Sequence, residues 1–88
     1  MPELAYFLGI HVYIYWVDHM VPHVHAYYGG TARNAPFEAT YRIADGHVLV
    51  GRLPPPQAKR MRRWIRDHQA ELRVAWEDSR RGSVKKIR

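Results

Sequence analysis

The residues best suited to chemistry lie close together, where Asp18 and His19 precede the pair His23 and His25. Pro22, just before His23, favours an extended backbone at Val21. Alternate side chains of a strand share a face. His23, His25 and Tyr27 are therefore predicted to point to the same side of one strand. Such a cluster could bind a metal ion or transfer protons. It could also consist of structural or binding residues on a solvated sheet face.

One hypothesis for this cluster is a metal site. An H-x-H pair on a strand offers two nitrogen ligands on one side, and Asp18 or His19 could complete a facial set suited to Zn, Fe or Mn. The chain has no cysteine, so thiolate ligands are excluded. The candidate metal ligands are His23, His25 and Asp18.

A second hypothesis is acid–base catalysis without a metal. Imidazole titrates near neutral pH, so two of them could act as acid and base in RNA cleavage. The candidate catalytic residues are His23, His25, Asp18, His19 and Tyr27. No motif specific to a nuclease class accompanies them, so the sequence leaves open whether the protein is an enzyme.

The strands that position the cluster follow from alternating hydrophobic residues. Strands are predicted over residues 7–17, 23–28, 36–43 and 47–52. In the first of these, Ile14 and Trp16 share the face predicted to be buried, while Tyr13 and Tyr15 lie opposite. Because short turns connect the strands, the sequence predicts a four-stranded antiparallel meander.

A long C-terminal helix is predicted to follow three consecutive prolines, which a first helical turn tolerates. Its apolar repeat ends at Gly82, a suitable C-terminal stop. The length suggests a kink or break near His68 and Gln69. We therefore expect an α+β domain over residues 1–82, with the helix packed on one sheet face, and a loose basic tail over 83–88.

The net charge of +6 is unevenly distributed along the chain. Residues 1–56 hold three arginines against four acids, giving −1, and residues 57–88 hold eleven lysines and arginines against four acids, giving +7. Such a basic region suggests a polyanionic partner, either a nucleic acid or an acidic protein. Of the nucleic acids, RNA is favoured over DNA. A solvated helix face is the alternative. The candidate nucleic-acid contacts are Lys59, Arg62, Arg63, Arg66, Arg73, Tyr13 and Tyr15.

Tyr13 and Tyr15 are candidate nucleic-acid contacts because they lie on the sheet face that the helix is predicted to leave uncovered. Pairing of the first two strands should bring His11, Tyr13 and Tyr15 beside His23, His25 and Tyr27. Aromatic side chains on such a face can stack on unpaired bases. The same patch could instead be buried in a homodimer, since exposed aromatic patches often mark interfaces.

Residues 18–25, D-H-M-V-P-H-V-H, carry a family resemblance. They resemble the D-H-x-P-P-H-F-H signature of a small bacterial domain-of-unknown-function family, family 4160, and depart from it at Val21 and Val24. F-x-G-I at 7–10, G-x-L-P at 51–54 and a later W-x-x-x-H helix also match. The resemblance implies a single domain, often encoded in gene pairs like toxin–antitoxin operons, and implies no activity.

Together these features predict a small RNA-interacting module, with the toxin–antitoxin-like context taken from the resemblance. One alternative is a non-catalytic regulatory module that pairs with an acidic partner protein. Another is a metal-dependent enzyme that uses the H-x-H cluster. No secretory signal pattern and no apolar run of membrane length is present, so we expect a cytoplasmic protein without membrane contact.

Overall fold

The fold is α+β, with helices packed on one face of an antiparallel sheet. The computed structural model describes residues 3–17, 19–32 and 34–87. The strands are β1 (Glu3–Phe7), β2 (Ile10–Tyr13), β3 (His23–Tyr28), β4 (Phe37–Arg42) and β5 (Val48–Arg52), paired in chain order. The helices are α1 (Pro55–Asp67) and α2 (Gln69–Arg81). The predicted fold class and meander are confirmed.

The number of strands differs from the prediction, since the sheet has five strands rather than four. The segment 7–17 is not one strand, because the chain reverses at Leu8 and Gly9 and pairs Phe7 with Ile10. Leu8 and Gly9 have φ of 51° and 79°, the two positive values that a type I′ hairpin turn requires. Leucine is rare at such a position, so this turn is hard to predict from residue types.

The single long helix is also not confirmed, because the helical region breaks at His68. The His68 Nδ1–H donates to the Trp64 carbonyl (2.7 Å), and the Gln69 side-chain amide donates to the carbonyls of Ile65 (3.0 Å) and Ile43 (2.6 Å). In a continuous helix, the carbonyls of Trp64 and Ile65 would accept hydrogen bonds from the backbone N–H groups of residues 68 and 69. Side-chain competition for these acceptors explains the break, which lies where the sequence suggested one.

The hydrophobic core fills the space between the helices and one sheet face. Ile14 is fully buried, as predicted, and Trp16 is half-buried against Trp76, with ring centroids 4.9 Å apart. The helices contribute Met61, Ile65, Leu72, Ala75 and Trp76. Within the described residues, neither helix combines the length and the apolar composition of a membrane span.

The predicted basic tail, residues 83–88, is described as far as residue 87, and part of it lies against the fold. Gly82 ends α2 in the left-handed conformation (φ 74°), as predicted. Val84 and Ile87 then pack partly against the core, and the Ile87 N–H donates to the Leu4 carbonyl at 2.8 Å. The tail is therefore attached to the first strand of the sheet.

Candidate functional site

The sheet face turned away from the core, here called the open face, carries polar and aromatic side chains in two cross-strand rows. One row contains Tyr6, His11, Tyr27, Glu38 and Arg52, and the other contains Glu3, Tyr13, His25, Thr40 and Val50. The register therefore confirms that His11, Tyr13, His25 and Tyr27 share one face. Tyr15 follows β2 and joins the same patch by stacking on His25.

His25 is the most constrained residue of the open face. The Tyr15 ring lies parallel to its imidazole, with centroids 4.5 Å apart, and the Thr40 hydroxyl is 3.2 Å from its Nδ1. Its Nε2 is buried and has no hydrogen-bond partner among the described residues, which is a costly arrangement. Burial, with a smaller contribution from His23, lowers the pKa of His25 from 6.5 to about 4. His25 is therefore neutral at pH 7 and a weak base.

His23 does not lie on the exposed patch, contrary to the prediction. It is only 1% exposed and sits at the start of β3, where its ring contacts both His25 and Trp76, with centroids 5.1 Å apart in each case. Its Nδ1–H donates to the Val21 carbonyl at 2.8 Å. The side chain thus lies at the end of the sheet between the open face and α2.

The other members of the predicted cluster come from the turn before β3. His19 is exposed and has a φ of 65°, and Asp18 lies outside the described residues. No group of three or more metal-ligating side chains assembles within residues 3–17, 19–32 and 34–87. His23 and His25 remain adjacent ligand candidates, and the Zn, Fe or Mn site stays a prediction.

A pocket of about 270 Å³, here called the His25 pocket, opens on this face. Its main lining residues are Tyr15, His25, Tyr27, Glu38, Thr40 and Val50. Burial raises the pKa of Tyr27, and the nearby Tyr15, Glu38 and Tyr13 add to the effect, so its phenol remains protonated. Sequence reasoning identified the residues of β3 but missed Glu38, Thr40 and Val50. Alternation along β4 puts Glu38 and Thr40 on one face of that strand, but only the strand register brings them to His25.

A second depression, here called the cationic groove, runs along α1 and has a volume of about 840 Å³. It is lined by Lys59, Arg60, Arg62, Arg63 and Arg66, together with Pro56 and Asp45. The structure thus brings together the four nucleic-acid candidates predicted in this part of the helix. Arg73 is exposed on α2, beyond the break, and is not part of the groove lining.

The turn between β4 and β5 connects the two sites. Asp45 lines the cationic groove, and its carboxylate accepts hydrogen bonds from the Arg42 Nε (2.8 Å) and the His47 N–H (3.0 Å). These bonds, chiefly that from Arg42, hold the pKa of Asp45 well below its usual range. Arg42 ends β4, two residues after Thr40, and its cross-strand neighbour is the buried His23. The Arg42–Asp45 pair therefore links a lining residue of the groove to the strand that carries Thr40.

The comparisons with known proteins identify the family. A sequence model described as a domain of unknown function (DUF4160) matches residues 9–77. The chain belongs to this family. The match includes the D-H-M-V-P-H-V-H segment, the open-face strands β2 to β5 and all of α1, and it confirms the assignment suggested by the signature. No curated protein and no solved structure matches the chain.

Proposed function

We propose that this DUF4160 domain binds single-stranded RNA through the cationic groove, as one component of a toxin–antitoxin-like pair. The proposed pairing rests on the family resemblance, and the proposed RNA binding rests on the groove. The observation that carries it is the convergence of five basic side chains on one groove. Among the described residues, Asp45 is the one acidic member of the lining, and it is already paired with Arg42.

The groove has the chemistry that a phosphate chain requires. Four of its basic residues are arginines, whose planar guanidinium groups can bind phosphate oxygens through two parallel hydrogen bonds. All five basic side chains are exposed, so little desolvation is needed for binding. Of the four arginines, Arg66 also lies 3.6 Å from the Asp67 carboxylate. The like charges repel one another, and a polyanion would relieve that repulsion.

A single strand fits the rest of the surface better than a duplex does. Unpaired bases can stack on aromatic side chains, and the open face offers tyrosine and histidine rings around the turn from the groove. A duplex would present its phosphates while keeping its bases stacked inside. Contact with both surfaces of the domain therefore favours RNA whose bases are free.

The test measures RNA affinity as a function of salt concentration. The groove variant Arg62→Gln, Arg63→Gln, Arg66→Gln is compared with the control Arg81→Gln, Lys85→Gln, Lys86→Gln, which removes the same charge from exposed positions outside the groove. The probe is a single-stranded RNA of about 12 nucleotides, within the range of small single-strand binding sites. If each lost phosphate contact lowers the slope of log K against log salt by about 0.7, the groove variant should lose about 2.

The control variant should retain most of the salt slope of the natural protein. Equal losses in the two variants would show that net charge, rather than the groove, attracts RNA. The absence of salt-dependent RNA binding by the natural protein would overturn the proposed function. Tighter binding of duplex DNA than of single-stranded RNA would overturn the choice of ligand.

A further inference from the structure

We propose that the His25 pocket receives one unpaired base of the RNA strand whose phosphates occupy the cationic groove, with a preference for bases that carry an exocyclic amino group. This inference deepens the proposed function and rests on it. It assigns a recognition role to Glu38 and Thr40, two pocket residues that share no sequence motif with the histidines.

The two sites differ in charge. Among the described residues, every charged lining residue of the groove except Asp45 is basic, whereas the lining of the His25 pocket holds the Glu38 carboxylate and no lysine or arginine. Arg52 lies opposite Glu38 in the register of β4 and β5 but is not part of the pocket lining. The carboxylate makes the pocket a poorer site for a phosphate than the groove. An uncharged ring meets no such repulsion.

The size and shape of the His25 pocket suit a single base. A volume of about 270 Å³ lies just below the range of roughly 300–1,000 Å³ that is usual for small-molecule sites. The pocket therefore suits one ring system rather than several nucleotides. Tyr15 and Tyr27 supply aromatic walls, and Val50, which is 69% exposed, supplies an apolar rim. These are the surfaces on which a base stacks.

Glu38 and Thr40 supply the polar groups that would meet the edge of the base. The Glu38 carboxylate can only accept hydrogen bonds when ionised, so it favours an amino group such as N4 of cytosine or N6 of adenine. Uracil has a carbonyl oxygen at the corresponding position, which the carboxylate would repel. The Thr40 hydroxyl both donates and accepts, and it can bond a neighbouring ring nitrogen or carbonyl.

The turn between β4 and β5 offers a route from one site to the other. Asp45 of this turn lines the groove, its carboxylate accepts a hydrogen bond from Arg42, and Arg42 lies two residues from Thr40 on β4. Residues so spaced on a strand are about 7 Å apart. An RNA chain that leaves the groove at Asp45 would pass Arg42 on the way to the pocket.

The experiment compares single-stranded oligocytidine and oligouridine of equal length, about 10 nucleotides, as ligands of the full chain. We expect the natural protein to bind oligocytidine about tenfold more tightly, since one well-placed contact to a base edge gives discrimination of this order. Glu38→Gln should reduce the ratio to about twofold, because an amide can serve either base. Glu77→Gln removes the same charge from an exposed position on α2 and should leave the ratio unchanged.

A second measurement tests the pocket without the groove. Cytidine and uridine nucleosides, which carry no phosphate, are titrated into the isotope-labelled protein, and the amide resonances of Thr40 and Gly51 are followed. Cytidine should shift both, and uridine should shift them less. Absence of a cytidine shift would overturn the pocket as a base site.

The two measurements separate the inference from the proposed function. Salt-dependent RNA binding with equal affinity for oligocytidine and oligouridine would overturn the inference and leave the groove standing. Cytidine shifts at the pocket without RNA binding would support the pocket as a base site and overturn the proposed function. Loss of the cytosine preference in Glu77→Gln as well as in Glu38→Gln would assign it to net charge and overturn the inference.

Discussion

The cationic groove and the His25 pocket depend on the fold in different ways. The basic side chains of the groove project from a single helix and are exposed, so helical spacing alone gathers them. The pocket needs the register of β3, β4 and β5, and its His25 Nε2 is buried with no hydrogen-bond partner in the part of the chain that the structure describes. The charged site therefore makes little demand on folding stability, whereas formation of the pocket is coupled to folding.

The largest expected effect concerns Gly51, which lies at the edge of the pocket. Its φ is 72°, and an added Cβ would overlap the Glu38 carbonyl oxygen. We expect Gly51→Ala to lower the free energy of unfolding by about 3 kcal/mol, from backbone strain together with steric overlap. Gly82→Ala is the matched control, because its φ is 74° and no atom lies within 4 Å of the added Cβ. It should cost about 1 kcal/mol. Urea denaturation followed by tryptophan fluorescence measures both, and equal costs would contradict the coupling of pocket and fold.

The next effect is a pH dependence that originates at His25. Its pKa is lowered from 6.5 to about 4 in the folded protein, so the unfolded chain binds more protons between these values and stability falls as the pH falls. Its contribution is complete above pH 6.5 and is lost progressively towards pH 4. Because the ring is only partly buried, we expect the free energy of unfolding to fall by about 1–3 kcal/mol between pH 6.5 and pH 4. His25→Gln should flatten the profile measured by denaturation at each pH, and an unchanged slope would show that another group titrates there.

A smaller effect is expected at Gln69, which links α1 to the end of β4. Gln69→Ala removes the hydrogen bonds to the Ile43 and Ile65 carbonyls, and we expect a cost of about 1–2 kcal/mol. Glu77→Ala, at an exposed position on α2, should change stability by less than about 0.5 kcal/mol. Thermal denaturation distinguishes the two. If Gln69→Ala left the stability unchanged, water would replace these hydrogen bonds without loss of folding free energy.

The smallest effect on stability should come from the groove itself. Arg62→Gln, Arg63→Gln, Arg66→Gln removes exposed charges, which contribute between about 0 and 1 kcal/mol each, and it relieves repulsion between like charges. We expect a net change below about 1 kcal/mol in urea denaturation at low salt. A larger loss would mean that the groove, like the pocket, is part of the stabilising framework, and the contrast between the two sites would fail.

Sequence reasoning succeeded where spacing along one element decides the structure. Helical periodicity alone gathered Arg62, Arg63 and Arg66, and strand alternation placed Tyr13 and His25 on one face. It failed where distant segments decide the structure. His23 follows the same alternation as His25, yet Trp76 of α2 covers it.

Two further differences have the same origin. The hairpin turn was missed because Leu8 occupies a conformation that glycine or asparagine usually adopts. Glu38 has no neighbouring carboxylate in the sequence to mark it as a site residue, and its approach to His25 depends on the pairing of β3 with β4. RNA binding, the metal site and the toxin–antitoxin-like context remain predictions from the sequence and the family.

Because the helical layer breaks at His68, we expect its two helices to open separately. α1 is anchored in the core chiefly by Met61 and Ile65, whereas α2 contributes Leu72, Ala75 and Trp76. Local opening of a segment exposes only what that segment buries, so α1 can detach while Trp76 still covers His23. In amide hydrogen exchange the two helices would then show different protection, and an uninterrupted helix would force them to exchange together.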